Sequence, residues 1–413
     1  PKSPVLLHLT LAKLIENGGE KRLIFIFDWR SIMNIKSLLL GSAAALVAVS
    51  GARAADAIIV AEPEPVEYVR VCDAFGTGYF YIPGTETCLR ISGYVRFDVF
   101  GGELFENTSA TGDGTYNINT RFTLRTSTAS ETELGTLRTY TETRFNFADN
   151  NYTGGFNAAG AFVPGTGYIH GTSVSLNFAW IQLGGLRVGK DESFFTTWTG
   201  YAGAVINDTP LGGYGPFDTN LISYTYNGGA FRAGIALEQG VTDTVVTATG
   251  VRAGWGIDDY MPHVVVGLGT TFGMVDLSAV AAWDSRDDIA GLERGGWAGK
   301  IRADVAFNDA FSVFAMLMYG ENASGYTTWR NAGDDETFGA TAGFSYAFSE
   351  KASLNTQIDW VDGNAGNDDE WALTANVAYE LVPGLVITPE VQYIDFGNGV
   401  DGFGGGVRVQ RSF

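Results

Sequence analysis

The chain has 413 residues and a formal net charge of −20, and 45% of its residues are hydrophobic at a mean hydropathy of +0.05. This composition excludes a bundle of membrane-spanning helices, because each such helix needs about 20 consecutive apolar residues. The acidic balance disfavours nucleic acid as a partner, since binding to phosphates requires a basic surface. A transmembrane β-barrel is compatible with this composition, because only alternate residues of its strands face lipid. The 55 glycines and 13% aromatic residues also fit a large soluble β-sandwich, propeller or solenoid.

The first 54 residues have the layout of an export signal preceded by extra sequence. Lys36 gives a positive start, residues 38–49 form an apolar stretch, and Ala52-Arg53-Ala54 fits the small-x-small pattern of a cleavage site. We predict a signal peptide over residues 33–54, cleaved between Ala54 and Ala55. Met33 stands where an initiator belongs, so residues 1–32 are predicted to be upstream sequence that is not part of the native protein. The alternative is a genuine, unusually long leader.

Residues 55–88 are predicted to form a linker and a disulfide loop. Cys72 and Cys88 are the two cysteines of the chain, and an even pair in an exported protein indicates one disulfide bond. A metal site is disfavoured, because no histidine lies near these cysteines in the sequence. Between the signal and the first cysteine, Glu62-Pro63-Glu64-Pro65 is typical of an extended linker.

From Leu89 to the end, alternating segments of strand length are separated by turn-rich gaps, and short gaps alternate with long ones. The terminal segment ends on Phe413 with no polar tail, which we expect of a strand that pairs with the first strand near Leu89 and closes a barrel. A propeller would show a repeat of roughly 40 residues, and none is apparent. We predict an all-β fold over residues 89–413, a transmembrane antiparallel barrel of about sixteen strands: 89–101, 117–129, 135–147, 173–184, 186–195, 221–228, 231–239, 263–272, 273–284, 296–308, 311–320, 336–348, 352–363, 369–381, 385–396 and 402–413.

The alternation assigns charged residues to the inner face of the first strands. Between residues 89 and 99 the apolar side chains share one face, while Arg90, Arg96 and Asp98 share the other. Charges on an inner face are costly in a packed core but are solvated in a water-filled lumen, and sixteen strands are wide enough to leave one. The pattern therefore predicts a pore. Outward threonines in 137–147 suggest a subunit interface, and 173–184 breaks phase near Ala179-Trp180, so its faces are not assigned.

Three stretches resemble the porins of alphaproteobacteria of the Rhizobiales and Brucella type. They are residues 72–94 (CDAFGTGYFYIPGTETCLRISGY), residues 179–195 (AWIQLGGLRVGKDESFF) and residues 409–413 (VQRSF). The resemblance covers residues 33–413 and implies a sixteen-stranded general diffusion porin of the bacterial outer membrane, a homotrimer whose third long loop folds into the lumen. It also implies that the barrel-assembly machinery recognises Phe413. Arg411 departs from the pattern, because an apolar residue is usual at this outward position.

The long gap at 196–220 is the predicted constriction loop, because it is rich in apolar and aromatic residues. Asp208 and Asp218 are its candidate acidic groups, and the facing wall is predicted to consist of Arg90, Arg96, Arg121, Arg125, Arg138 and Arg144. Opposed charges would create a transverse field that filters small hydrophilic solutes, with a slight preference for cations. For Asp208, the alternative is an Asx turn that shapes the loop.

Other functions are less favoured. A substrate-specific channel for sugars or anions is the main alternative, but Tyr94 and Tyr140 alone make too short an aromatic track. An outer-membrane hydrolase would need His170 or His263 as a base, and no partner is identified by spacing. Residues 184–190 match a phosphate loop until Asp191 replaces the required Ser or Thr. No cofactor is expected. The acidic runs at 258–259, 287–288, 334–336 and 368–370 are interpreted as solvated loop tips, or else as sites where divalent cations bridge to lipopolysaccharide.

Overall fold

The computed structural model describes residues 15–17, 20–22, 70–151, 154–156, 162–246, 251–289, 293–329, 336–363 and 368–413. The chain divides into a unit at Pro1–Val66 and a unit at Glu67–Phe413. In the first unit, Ile15–Asn17 pairs antiparallel with Glu20–Arg22. The predicted signal peptide, the Ala54–Ala55 cleavage site and most of residues 1–32 lie outside the described residues. In the described part of the chain, no helix is long and apolar enough to cross a membrane.

The second unit is a closed antiparallel barrel of sixteen strands, which confirms the predicted fold and strand number. Each predicted segment overlaps one strand. In chain order the strands are β1 Cys88–Gly102, β2 Asn117–Thr132, β3 Gly135–Asn151, β4 Tyr168–Leu183, β5 Leu186–Glu192, β6 Asp218–Asn227, β7 Phe231–Glu238, β8 His263–Phe272, β9 Val275–Asp284, β10 Gly296–Asn308, β11 Phe311–Gly320, β12 Thr337–Ser349, β13 Ala352–Val361, β14 Glu370–Val382, β15 Leu385–Asp395 and β16 Asp401–Ser412.

The connections alternate strictly in length. Those that follow even-numbered strands are turns of two or three residues, whereas those that follow odd-numbered strands are longer, and among the described residues three of these contain a pair of short strands. These are the paired strands Asn107–Thr108 with Gly114–Thr115, Gly154–Phe156 with Phe162–Pro164, and Thr244–Val246 with Val251–Ala253. One rim therefore carries short turns and the other carries long loops, as in outer-membrane barrels.

The barrel closes where β16 pairs with β1. Val407 lies opposite Val99 and Ser412 lies opposite Tyr94. Phe413 continues the ladder, because it exchanges two backbone hydrogen bonds of 3.0 Å with Gly93. Arg411 points outward but turns its guanidinium to the carbonyl oxygens of Pro383 and Ser412, at the short-turn rim. This contact explains how a charge is tolerated where an apolar residue is usual.

A small hairpin extends the seam beyond Phe413. The two-residue strand Phe80–Tyr81 pairs with Leu89 and Cys88 at the start of β1. A disulfide bond joins Cys72 to Cys88, as predicted, and the 3₁₀ turn Asp73–Phe75 lies within the loop that it closes. The strand edge left open below Phe413 is thus covered.

Strand alternation separates a lipid-type surface from a polar interior. Most exposed aromatic side chains of the strands point outward, and some form cross-strand pairs, such as Trp360 with Trp371 and Tyr393 with Phe403. The strand β4 changes phase at Asn177, where a β-bulge shifts the pairing with β3 between Leu176 and Phe178. The bulge accounts for the phase break in the sequence. It assigns Phe178 and Trp180 to the lumen and Ile181 to the outside.

The main buried cluster lies inside the barrel, where loops pack on the inner wall of β7–β13. The strands leave room for these loops by placing glycines at the contact. A methyl group at Gly267 of β8 would overlap the ring of Trp198, and one at Gly234 of β7 would overlap Phe194. Both aromatic residues belong to the loop that follows β5. This half of the lumen is therefore filled with protein, while the half lined by β1–β4 stays open to polar side chains.

Candidate constriction of the lumen

The loop between β5 and β6, residues 193–217, folds into the barrel. It opens with the short helix α1, Phe194–Thr199, whose first turn is capped by the Ser193 hydroxyl, which accepts a hydrogen bond from the Phe195 amide at 3.2 Å. Trp198 donates its indole N–H to the carbonyl of Leu268 on β8. The apolar residues of the loop thus pack on the barrel wall, as its composition predicts.

A buried carboxylate fixes the base of this loop. Glu238, the last residue of β7, is 1% exposed. It accepts hydrogen bonds from the Ser193 hydroxyl at 2.8 Å, the Phe194 amide at 2.6 Å and the Tyr326 hydroxyl at 2.9 Å. Tyr326 belongs to the loop after β11, so one carboxylate holds two loops together. All three partners are donors, as an ionised carboxylate requires.

The tip of the loop is held from the opposite wall. Glu390 of β15 accepts the backbone amides of Ile206 and of Asn207, the latter at 2.9 Å. Gln357 of β13 accepts the Gly203 amide at 2.7 Å and donates to the Asp208 carbonyl at 2.9 Å. Backbone groups supply these bonds, so the wall fixes the course of the loop regardless of most of its side chains.

Two basic side chains of β10 reach the same loop. Arg302 donates to the carbonyls of Tyr201 and Ala202, and Lys300 donates to the carbonyl of Tyr214. Lys300 is 4% exposed, and its ammonium lies 4.5 Å from the ring centroid of Phe195. These buried cations serve the packing of the loop rather than the open part of the lumen.

The structure separates the two predicted acidic groups. Asp208 lies in the loop, where it accepts a hydrogen bond from the Tyr214 hydroxyl at 2.7 Å. Burial raises the pKa of Asp208, and the Tyr214 bond and the charge of Arg408 offset part of this rise. Asp218 is instead the first residue of β6, pairs with Lys190 and shares the outward face of Ile222. Asp218 is therefore not brought together with Asp208, because strand alternation turns it away from the lumen.

Four of the six predicted arginines form one cluster on the luminal face of β1–β3. Arg96 lies opposite Arg121, and Arg125 and Arg144 both donate to Glu142, at 2.6 and 2.7 Å. Glu142 is 1% exposed, so the wall is an alternation of charges rather than a row of one sign. Arg121 is fixed by Asn146, whose side-chain oxygen accepts from its Nε at 2.6 Å.

The other two arginines lie near the short-turn rim. Arg90 is in the third position of β1 and next to Gly78, and Arg138 is in the fourth position of β3. By strand alternation, both residues lie on the luminal face, as the sequence predicts. Their place at the strand ends puts them away from the loop tip, which is held at the level of Glu390. The sequence cannot distinguish height along a strand without the register of its neighbours.

Sequence reasoning missed Arg408, which completes the cluster. Arg408 of β16 and Arg96 of β1 both pair with Asp98, at 2.8 and 3.1 Å. The closure of the barrel brings β16 beside β1, and luminal alternation in 402–413 was the signal that could have identified this residue. Between this wall and the loop tip lies a cavity of about 460 Å³, lined by Asp98, Asn107, Asn119, Ile206 and Asn207 among others.

The remaining predicted features have structural partners. His170 pairs with Asp149 and stacks on Phe147, and buried His263 bonds the Trp255 carbonyl. Residues 184–190 form a tight turn and the start of β5. Within the described residues, no group of three His, Cys, Asp or Glu side chains is arranged to hold a metal ion.

Several acids of the predicted runs make bonds within the loops. Asp258 pairs with Arg294, Asp288 accepts the Arg294 amide, and Asp368 accepts the Asn398 amide. Residues 334 and 335 lie outside the described part of the chain. Bridging of divalent cations to lipopolysaccharide stays a prediction.

The chain is similar to porins and to another outer membrane channel. The profile of the family described as "Porin subfamily" matches residues 56–409. The chain is 50% identical over 341 residues to porin Omp2b of Brucella suis biovar 1, which covers 79% of this chain and 86% of that protein. It is 49% identical over 338 residues to porin Omp2b of Brucella neotomae, with the same coverage. Its fold also resembles the outer membrane channel DcaP of Acinetobacter baumannii, at 15% identity and a TM-score of 0.56, covering 81% of this chain and 99% of that one.

A closed sixteen-stranded barrel with a polar lumen and an outward apolar surface matches what these relatives imply. Such a barrel spans the outer membrane many times and lets small hydrophilic solutes diffuse through its lumen. The resemblance seen in residues 72–94 and 179–195 is thereby confirmed over most of the chain. The protein belongs to the Porin subfamily and is a general diffusion channel of the outer membrane.

Proposed function

We propose that the narrowest part of this channel lies between the tip of the loop 193–217 and the arginine cluster of β1–β3 and β16. The observation that carries this proposal is the pair of backbone amides, Ile206 and Asn207, bonded to Glu390 inside the lumen. It is supported by the electrostatic attraction between the two sides: the charge of Arg408 on the wall favours the ionised form of Asp208 in the loop, and the charge of Arg144 does the same for Tyr201. Solutes pass between these two charged surfaces.

The balance of charges at this constriction favours weak selectivity. Arg125 and Arg144 are neutralised in part by Glu142, and Arg96 and Arg408 by Asp98. The acidic long loops and the net charge of −20 then favour cations slightly. Reversal potentials of the purified protein in planar bilayers, under a KCl gradient, test this. A clear anion preference would contradict it.

We also propose that the functional unit is a homotrimer. The outward face of β2 and β3 carries hydroxyl pairs, Thr126 with Thr141 and Thr128 with Thr139, at oxygen–oxygen distances of 2.5 and 2.6 Å. Paired hydroxyls suit contact with another protein surface better than with lipid chains. Native mass spectrometry of the detergent-purified protein measures the subunit number. Thr139→Lys should dissociate the trimer, while Phe348→Lys, at an outward position near the rim, should not.

A further inference from the structure

Aromatic rings alternate with arginines on the luminal wall of β1–β5. The rings of Tyr140 on β3 and Trp180 on β4 have centroids 5.4 Å apart, and Phe178 lies 5.6 Å from Tyr140. The guanidinium of Arg187 on β5 lies 4.2 Å above the ring of Trp180. On the other side, the guanidinium of Arg125 lies 5.3 Å from the ring of Tyr94. We call Tyr94, Arg125, Tyr140, Phe178, Trp180 and Arg187 the aromatic–arginine belt.

Apart from Arg125, which also belongs to the arginine cluster, the belt lies on the short-turn side of the proposed constriction. Tyr140 and Trp180 face each other across β3 and β4. Along β3, Tyr140 is closer than Arg144 to the short turn that precedes Gly135. A solute that has passed the arginine cluster therefore meets the belt next. The bulge at Asn177 makes this arrangement possible, because it turns both Phe178 and Trp180 into the lumen.

Except for Tyr94, which is 7% exposed, the groups of the belt are accessible to solutes. The side chains of Arg125 and Arg187 are 37% and 35% exposed, and those of Tyr140 and Trp180 are partly exposed. A cavity of about 350 Å³ adjoins Arg187 and is lined by Gln182, Asp191, Trp198 and Ser223 among others. This cavity therefore places small hydrogen-bonding groups and the Trp198 ring around the Arg187 guanidinium, at one end of the belt.

The charge of this wall attracts anions. The luminal face of β1–β5 carries Arg187 in addition to the six arginines predicted from the sequence. The carboxylates bonded to these arginines are those of Asp98, Glu142 and Asp191. Beyond the balanced constriction, Arg90, Arg138 and Arg187 are opposed by the carboxylates of Asp191 and Glu131, which leaves a small excess of positive charge on the path to the short-turn rim.

Together, these groups are complementary to one class of solute. An aromatic ring packs against the C–H face of a pyranose, a guanidinium donates two hydrogen bonds to a carboxylate, and amide or hydroxyl groups bond sugar hydroxyls. We propose that the belt is a low-affinity site for hexuronates, pyranose sugars that carry a carboxylate, and that it favours their passage. This proposal rests on the constriction proposed above.

The test compares anions that share some of these features. In planar bilayers with the purified oligomer, reversal potentials under bi-ionic conditions give permeabilities for sodium glucuronate, sodium gluconate and sodium benzoate. Gluconate is an open-chain acid of nearly the same mass and lacks the pyranose face. Benzoate has a ring and a charge but no hydroxyl groups. We expect glucuronate to pass faster than gluconate by more than their ratio of mobilities in water.

Variants locate the effect. Trp180→Leu, Tyr140→Leu and Arg187→Gln should each lower the glucuronate-to-gluconate permeability ratio about threefold, the size expected for one ring or cation contact. Trp360→Leu, on the outward face of β13, is the matched control and should leave the ratio unchanged. Any one of three results would overturn the proposal. The unaltered protein could show a glucuronate-to-gluconate permeability ratio equal to the ratio of their mobilities in water, or it could favour benzoate over gluconate as strongly as it favours glucuronate. The third such result is a permeability ratio that the three belt variants leave unchanged. Chloride currents in every variant separate this result from failure of the channel itself.

Discussion

Glu390 offers a direct way to test whether the loop 193–217 forms the constriction. Its side chain is 2% exposed and holds the loop tip through the amides of Ile206 and Asn207, while Asn376 donates to it at 3.0 Å. Glu390→Ala removes the acceptors of the two backbone amides of the tip, while the Asn207 side chain still donates to Gln392. The loop keeps its bonds to Gln357 and Glu238, so the change should release the tip without unfolding the loop.

The magnitude follows from the number of bonds lost. A hydrogen bond to a charged group contributes about 1.5–3 kcal/mol, so two backbone bonds contribute about 3–6 kcal/mol to the attachment of the tip. Water that enters the space left by the side chain can bond the freed amides, which reduces the net loss to about 2–3 kcal/mol. At about 1.4 kcal/mol per factor of ten, the detached fraction of the tip should rise about 30- to 150-fold.

Single-channel recording measures this release. Glu390→Ala should show greater open-channel noise and a larger mean conductance than the parent, and Glu390→Gln should lie between them because one oxygen still accepts. Asp276→Asn is the control, since it removes a luminal acid bonded to Arg232 and Thr271 on another part of the wall. If noise and conductance in Glu390→Ala equal those of the parent, the loop tip does not limit the pore.

Three further changes test separate parts of the structure. Gly267→Ala should lower the free energy of unfolding by about 1–3 kcal/mol, because its methyl group overlaps the Trp198 ring. Thermal melting curves measure this loss. An equal loss in the control Gly299→Ala, where the nearest atom to the new methyl group is 3.6 Å away, would contradict this explanation. Burial raises the pKa of Asp208 above 3.8, so its charge is lost as pH falls through that raised value, and the cation preference in reversal potentials should fall with it. Asp208→Asn should show the lower preference at every pH, and an unchanged pH profile would exclude this residue. The same shift makes ionised Asp208 destabilising, a cost that is absent below pH 3.8 and complete above the raised pKa. Cys72→Ser should weaken the hairpin by about 3 kcal/mol and speed amide exchange at Tyr81 while conductance stays the same; unchanged exchange would show that the disulfide does not hold the hairpin.

The strands could be predicted because a barrel repeats one simple rule. Side chains alternate between lipid and lumen, so a period of two marks each strand and a break in the period marks a turn or a bulge. All sixteen segments were found in this way, and the one unexplained break, in 173–184, is the bulge at Asn177. The pairing of Phe413 with Gly93 also follows from the need to close the barrel.

The anchors of the loop could not be predicted from the same rule. Gly203 and Gln357 are 154 positions apart, and Ile206 and Glu390 are 184 apart. In the sequence, Gln357 and Glu390 look like any other polar residue on a luminal face. Their role depends on which strands lie opposite β5 and at what height, and this is set by the register of many strands together. Asp218 was assigned to the constriction because the sequence placed the start of β6 at residue 221, so Asp218 was counted as a loop residue rather than as the first, outward-facing residue of the strand.

The charges at the proposed constriction explain why strong selectivity is not expected. Five arginines lie there, at positions 96, 121, 125, 144 and 408. Five carboxylates oppose them, at positions 98, 142, 192, 208 and 390. A balanced ring orders water across the lumen but repels neither sign of ion as a whole. The removal of one member should therefore shift the ion preference, toward anions for Asp208→Asn and further toward cations for Arg121→Gln. If both variants shift the reversal potential in the same direction, the two surfaces do not face one passage.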